Sequence, residues 1–470
     1  MRTIGWRREA SAGSGGGQPR LSWVTMSEAE VVRRSSYGPT SPRIGRRGAT
    51  TRKRIAEVSL ELFGRVGYVD TSVDALARAA GVSRATLYQY FGGKDDIFLE
   101  LLEECREALY RVSRRIGPLG ADATGFDNLH WWLGEWSWVF EKYSTMFIQW
   151  SAVASMDQTA RDQITRSIRG YNHRIAARLE ASEMAGLDAE AAAMMITGLV
   201  HDVNLFVHTD RAYGRGTQDV VDTLSVFLQS MLYPETPPEV FSGLDRPERS
   251  EPRGGIAFAH PALPDLAGLS VEDRIANLSR RSAQTVQGLV RAGTARFNAI
   301  GYRRTSVEDI VEMAQVARGT FYKYFTDKLD MLVAISVDMH SQLAALAIAA
   351  DALDPVTDRD GLSAWLTRSY DFYERHFGSI EAWNGGVTDS ALIAAIGRAS
   401  DAQFDSAAAA MLARAPQHYP FDPVVSALIL RASSTSVLNK AKEILHPISG
   451  EELVRLSASC VRRGFFGEAG

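Results

Sequence analysis

Two short segments hold the side chains with most to offer a ligand. Arg84, Ala85, Thr86, Tyr88, Gln89, Tyr90 and Lys94 form one, and Arg318, Gly319, Thr320, Tyr322, Lys323, Tyr324 and Lys328 form the other. A guanidinium bridges guanine O6 and N7 in a major groove, and a neighbouring threonine meets a base edge or a thymine methyl. Ala85 allows close approach, and Gly319, which aligns with it, adds a helix-interior cost. Tyr88, Lys94 and their counterparts suit phosphate oxygens, which set register and carry no sequence information. The chemistry on offer is recognition of double-stranded DNA.

Other chemistry is hard to assemble. The chain has no Gly-x-Ser-x-Gly, no Walker loop and no strand–Gly-x-Gly-x-x-Gly–helix unit, so no enzyme is expected. His130, His173, His201 and His208 lack His-x-x-x-His spacing, and no metal or cofactor is called for. Two cysteines, Cys105 and Cys460, build neither a disulfide framework nor a four-cysteine zinc site. No run approaches 18 uninterrupted apolar residues and no signal-peptide core opens the chain, so a cytoplasmic protein without a membrane span is expected.

The two segments belong to a long internal repeat. Phe63-x3-Gly67-Tyr68-x2-Thr71-Ser72-Val73 returns as Phe297-x3-Gly301-Tyr302-x2-Thr305-Ser306-Val307, displaced by 234 positions, and 15 of 36 residues over 63–98 are identical without a gap. Sparser matches follow: Trp132, Glu141 and Trp150 with Trp365, Glu374 and Trp383, and Asp188 with Asp422. A whole domain is duplicated, which a length of 470 residues accommodates. The predicted layout is a disordered basic tail over 1–45, a first DNA-binding domain over 46–94 and a first helical domain over 95–232. A Pro/Gly-rich linker over 233–272 then leads to a second DNA-binding domain over 273–328 and a second helical domain over 329–470.

Local signals say how each segment is held. Ile55, Val58, Leu62 and Val66 form an apolar stripe that stops at Gly67. Thr71 with Asp74, and Thr305 with Glu308, read as helix N-caps. Gly81 permits a left-handed turn and Ser83 caps a helix over 84–90, with Leu87 and Phe91 turned inward. Helix, tight turn, then a helix with Arg and Thr in its first turn is the helix-turn-helix arrangement. The windows 46–98 and 280–332 carry net charges of about +3 and +4, and the tail about +4, which leaves about −15 elsewhere in a chain of net charge −4.

The run from Thr71 to Lys94 closely resembles the DNA-binding signature of the TetR family of bacterial transcriptional regulators. The resemblance implies an all-α fold: two tandem units, each a three-helix DNA-binding domain followed by a helical ligand-binding and dimerisation domain. It also implies a repressor released from its operator by a small-molecule effector. A non-DNA-binding helical scaffold derived from such a regulator is the alternative.

The second copy departs from the pattern. Gln315 replaces the turn glycine and Ala317 replaces the capping serine, which leaves either a weaker or differently specific reader or a relic. Two unlike copies allow an intramolecular pseudo-dimer on an imperfect palindrome, with a homodimer as the other option. Helices over 189–207, 217–232, 424–442 and 450–465 are candidates for that interface, ordinary core packing being the plainer reading. Trp132, Trp136, Phe140, Phe147 and Trp150, with Trp365, Phe372, Tyr373 and Trp383, line either an effector pocket or a packed core. Arg46, Arg47, Arg52, Lys53 and Arg54 read as a minor-groove arm or as a solvated basic stretch.

Overall fold

The stripe beginning at Ile55 becomes one long helix, α1 (Arg46–Val66), with Ile55, Leu62 and Phe63 buried, and the chain reverses at Gly67, whose φ is +89°. Two short helices follow, α2 (Val73–Ala79) and α3 (Arg84–Tyr90), and then α4 (Lys94–Arg114). The structure is a computed structural model describing residues 4–5, 24–25, 46–148, 158–182, 184, 186–244, 258–260, 262–383, 390–414, 421–434 and 449–467. Almost every described element is a helix, which bears out the all-α reading. Among the described residues, the exception is a two-residue antiparallel pairing of Ile4–Gly5 with Val24–Thr25; the rest of the expected tail lies outside them.

The chain divides into two units, 1–104 and 105–470. The first holds one helix-turn-helix on a core of Phe63, Tyr68, Leu76, Leu87, Phe91 and Phe98, with the Phe63, Tyr68 and Phe98 rings 5.1 to 6.4 Å apart. Apolar side chains of this size contribute roughly 1.5–3 kcal/mol each on burial.

The second unit holds the rest of the first copy and all of the second. The first contributes α5 (Ala123–Lys142), α6 (Gln158–Glu180), α7 (Ala189–His208) and α8 (Thr217–Leu232). The expected linker is partly ordered: Pro238–Leu244 form a 3-10 helix, and α9 (Val271–Ile275) starts inside the linker boundary on a Ser270–Asp273 capping box. The second copy continues with α10 (Arg280–Ile300), α11 (Val307–Met313), α12 (Arg318–Tyr322) and α13 (Lys328–Asp351). It ends with α14 (Arg359–Glu381), α15 (Ala391–Ala413), α16 (Pro423–Ser434) and α17 (Gly450–Phe466). Of the candidate interface helices, residues 435–442 lie outside the described residues.

Within the second copy, α10 seats directly on α14. Gly378 lies so close that a Cβ there would stand 2.1 Å from the Phe297 carbonyl oxygen, and Asn298 accepts from the Gly378 amide at 2.8 Å while donating to Arg375 O at 2.7 Å. The two copies meet through their last helices: α8 runs against α17, and α16 packs on α7 and α8. Val220, Leu224, Phe227 and Leu228 are all buried, with Phe227 4.7 Å from Phe465. Arg463 of α17 reaches across to donate to Met231 O at 2.7 Å. Two helices, α7 and α13, are long and apolar enough by composition to cross a membrane, but their apolar windows are 67% and 61% buried in the protein, as core helices are.

Candidate nucleic-acid interface

In the first copy Ser83 caps α3, its hydroxyl accepting from the Thr86 amide at 3.0 Å and lying 2.8 Å from the Thr86 hydroxyl. Leu87 and Phe91 anchor the helix from below. Arg84, Ala85, Tyr88 and Gln89 are exposed on its outer side, and Thr86 and Tyr90 are half-buried. The Arg84 guanidinium folds back to Asp74 of α2 at 3.3 Å and to the Tyr88 hydroxyl at 3.4 Å, resting 5.6 Å from the Tyr88 ring centre. An exposed pair of this kind is worth about 0–1 kcal/mol, so a base edge or phosphate competes readily for the arginine.

The second copy repeats the arrangement. Arg318 pairs with Glu308 of α11 and donates to the Tyr322 hydroxyl at 3.3 Å, with Gly319 and Lys323 exposed, and Thr320 and Tyr324 half-buried. Asp74 and Glu308 occupy matching positions of the repeat, so each copy tethers its arginine to the preceding helix. Reading the two segments alone missed these tethers; the matched acidic positions were the available signal. The differences between copies also persist. Gln315 holds the turn at a φ of +54°, where Gly81 stands at +62°, and Ala317 supplies no side-chain cap. With its N-terminal amides left uncapped, α12 is five residues long against seven for α3.

Several expected contacts are corrected. The caps sit one residue later, at Ser72 and Ser306, while Thr71 and Thr305 are buried and donate back to Gly67 O and Gly301 O at 2.6 and 2.8 Å. A threonine hydroxyl bonded four residues back holds the turn and is closed to DNA. The lysines are likewise committed. Lys94 Nζ donates to the carbonyls of Tyr68, Val69 and Thr71 at 2.9 to 3.2 Å, and Lys328 Nζ to those of Tyr302, Arg303 and Thr305 at 2.7 to 3.4 Å. An ammonium has three protons, and each is used here to tie the loop before α2 or α11 to the following long helix. Burial lowers Lys328 below its ordinary pKa. The expected arm is also corrected: Arg46 to Arg54 lie inside α1, and Arg52 pairs with Glu100 and stacks 4.3 Å from Phe91.

The aromatic residues form cores. In the first copy Trp132 and Trp136 are buried, Trp132 donates to the Tyr171 hydroxyl at 3.2 Å, and Phe140 stacks on Phe147 at 4.5 Å with His201 and His208 against it. In the second, Trp365 stacks on Phe404 at 5.4 Å, Trp383 donates to Ser336 at 3.0 Å, and Phe372 and Tyr373 pack edge to face. These indoles find hydrogen-bond partners, as buried tryptophans do. Trp150 lies outside the described residues. Cys105 and Cys460 are buried, and burial raises both thiols.

A charged joint between the copies was invisible to motif reading. Arg211 pairs with Asp401, Arg431 with Asp401 at 2.8 Å and with Asp405 at 3.1 Å, and the Tyr213 hydroxyl donates to Asp405 at 2.7 Å. Burial favours the neutral form of Asp401, but the two arginines outweigh it and hold its pKa low. Asp405 is pushed up to about 6 by burial, against the pull of Arg431 and with repulsion from Asp401.

Comparison with known proteins agrees with the geometry. The family described as bacterial regulatory proteins, tetR family, matches twice, over residues 55–101 and 289–335. A transcriptional regulator of Mycobacterium tuberculosis, MftR, is 48% identical over 59 residues, 13% of this chain and 30% of that protein. The HTH-type transcriptional regulator AcrR of Shigella flexneri is 43% identical over 53 residues, 11% of this chain and 25% of the relative. The chain thus spans under a third of the length of these two relatives. Among solved structures, the TetR-family regulator PfmR of Thermus thermophilus is 22% identical, with 37% of this chain and 97% of that one covered at a TM-score of 0.33. The chain thus carries twice the helix-turn-helix domain of the tetR family of bacterial regulatory proteins.

Proposed function

We propose that the protein is a sequence-specific DNA-binding transcriptional regulator that acts in the cytoplasm, in which both copies read DNA and pair within one chain. The observation that carries the reading is the matched outer face of α3 and α12, where Arg84 and Arg318 stand exposed on helices anchored from below by Leu87 and Phe321. Helices of this kind enter the major groove by their N-terminal residues, and two of them one helical turn apart read two half-sites. The packing of α8 and α7 on α17 and α16 supports pairing within the chain, and the unlike residues Gln89 and Lys323 favour unequal half-sites. Release by a small-molecule effector, and with it repression, is the regulatory mode that the resemblance to this family suggests.

Substitution tests the reading. On a duplex selected by the full-length chain, Arg84→Ala with Thr86→Ala is expected to weaken binding at least tenfold, as loss of a good base contact costs about 1–3 kcal/mol. Arg318→Ala with Thr320→Ala is expected to relax preference in one half-site only. Unchanged affinity and specificity in both variants would leave a helical scaffold.

A further inference from the structure

We propose that the cleft lined by Phe258, His260 and Leu263 and by α13 and α15 binds an organic cation with an apolar body, and that it is the chain's effector site. The site lies outside both aromatic cores. It deepens the effector-release reading above and rests on it for its regulatory meaning, although binding itself is separable.

The cleft is an open one of about 680 Å³, a volume suited to a small molecule. Phe258 and Leu263 line it, together with Ala347 of α13 and four alanines of α15. Ile348 is left 69% exposed at its edge, an apolar side chain with nothing packed over it. The polar lining groups are His260, His340, Asp351, Gln403 and Ser406. Among the described lining residues there is no lysine or arginine, and Asp351 supplies a carboxylate. Burial and the nearby His260 lower the pKa of His340, which favours its neutral form. Gln403 Oε1 is a buried acceptor without a hydrogen-bond partner among the described residues. An anion would shed water beside a carboxylate with no lysine or arginine in the described lining to meet it, whereas an ammonium finds Asp351 and an N–H finds Gln403.

The position of the cleft links it to the joint between the copies. Phe258 stands edge-on to the Tyr213 ring at 4.9 Å, and the Tyr213 hydroxyl donates to Asp405 at 2.7 Å. Asp405 faces Arg431, which shares Asp401 with Arg211 of the first copy. Tyr213 and Asp210 hold left-handed backbone, at φ of +51° and +55°, in the loop that brings them there. A ligand that shifts Phe258 therefore acts on the buried ion pairs that join one copy to the other.

Calorimetric titration of the full-length chain with 4-phenylbutylamine and, separately, 4-phenylbutyrate tests the site, the two probes sharing an apolar body and differing in charge. Saturable binding of the amine at least tenfold tighter than the carboxylate is expected, and Asp351→Asn is expected to erase the difference. Ala410→Trp, which fills the cleft from an exposed position, is expected to abolish binding with the helical circular dichroism unchanged. Equal binding of the two probes, no binding of the amine, or amine binding untouched by Ala410→Trp would overturn the site. Amine binding with these dependences but no change in DNA affinity would uphold the site and sink the effector-release reading instead.

Discussion

At Gln315 the backbone is left-handed without a glycine, and two residues later Ala317 leaves α12 uncapped. A left-handed residue with a Cβ costs roughly 1–2 kcal/mol, and a missing hydroxyl cap about 1 kcal/mol. Gln315→Gly and Ala317→Ser are each expected to stabilise the second helix-turn-helix by about 1 kcal/mol. Slower amide hydrogen exchange over 307–322 in the double variant would show it, and unchanged exchange would refute it. Asp405 sets a different residue-scale expectation. Its pKa is raised to about 6 in the folded chain, so the folded state binds the extra proton between the ordinary carboxylate range and pH 6. Stability from the neutral carboxyl is present below that range and lost as pH rises through about 6. Urea midpoints of the parent chain, compared with those of Asp405→Asn, are expected to decline over this window, and parallel profiles would contradict the assignment.

Among the elements, the contact of α8 with α17 depends on one small residue. A Cβ at Gly464 would stand 2.3 Å from Phe227 Cε2, deep in the joint, whereas one at Gly319 meets no heavy atom within 4 Å. Gly464→Ala is expected to destabilise the chain by about 1–3 kcal/mol through overpacking. Gly319→Ala is expected to stabilise by up to about 1 kcal/mol through helix propensity. Denaturant unfolding of the two variants checks both signs. The contrast also marks what was legible beforehand. The helix over 84–90, its Ser83 cap and the start of α4 at Lys94 were readable because their signals lie within a few residues of one another. The cap at Ser72 was misplaced by one residue because Thr71 and Ser72 both carry hydroxyls, and only the folded chain shows Thr71 bonded back to Gly67. Lys94 and Lys328 were assigned to phosphate because their carbonyl partners lie 23 to 26 residues away. The pairing of Arg211 with Asp401 spans 190 residues, and no local pattern announces it. Aromatic density left pocket and core open, and the stacked Phe140–Phe147 and Trp365–Phe404 pairs show close packing.

For the whole molecule, duplication puts the second helix-turn-helix in one compact unit with the helices through which the copies pair, while the first forms a unit of its own, ending at Glu104. The pairing helices are unlike on their two sides. Arg463 of α17 donates across the joint, and the aligned Gln229 of α8 instead bonds Gly120 O and Thr236 within its own copy. A joint so built favours one copy of each kind. On the function proposed above, such a pair offers DNA two helices of different composition, and the operator should record that difference. The most direct measurement is selection of bound sequences from a random duplex pool by the full-length chain. Two unequal half-sites at a fixed spacing near one helical turn are the result this account predicts. A perfect palindrome would contradict it, because the first copies of two chains would then be doing the reading, and so would the absence of any enriched sequence.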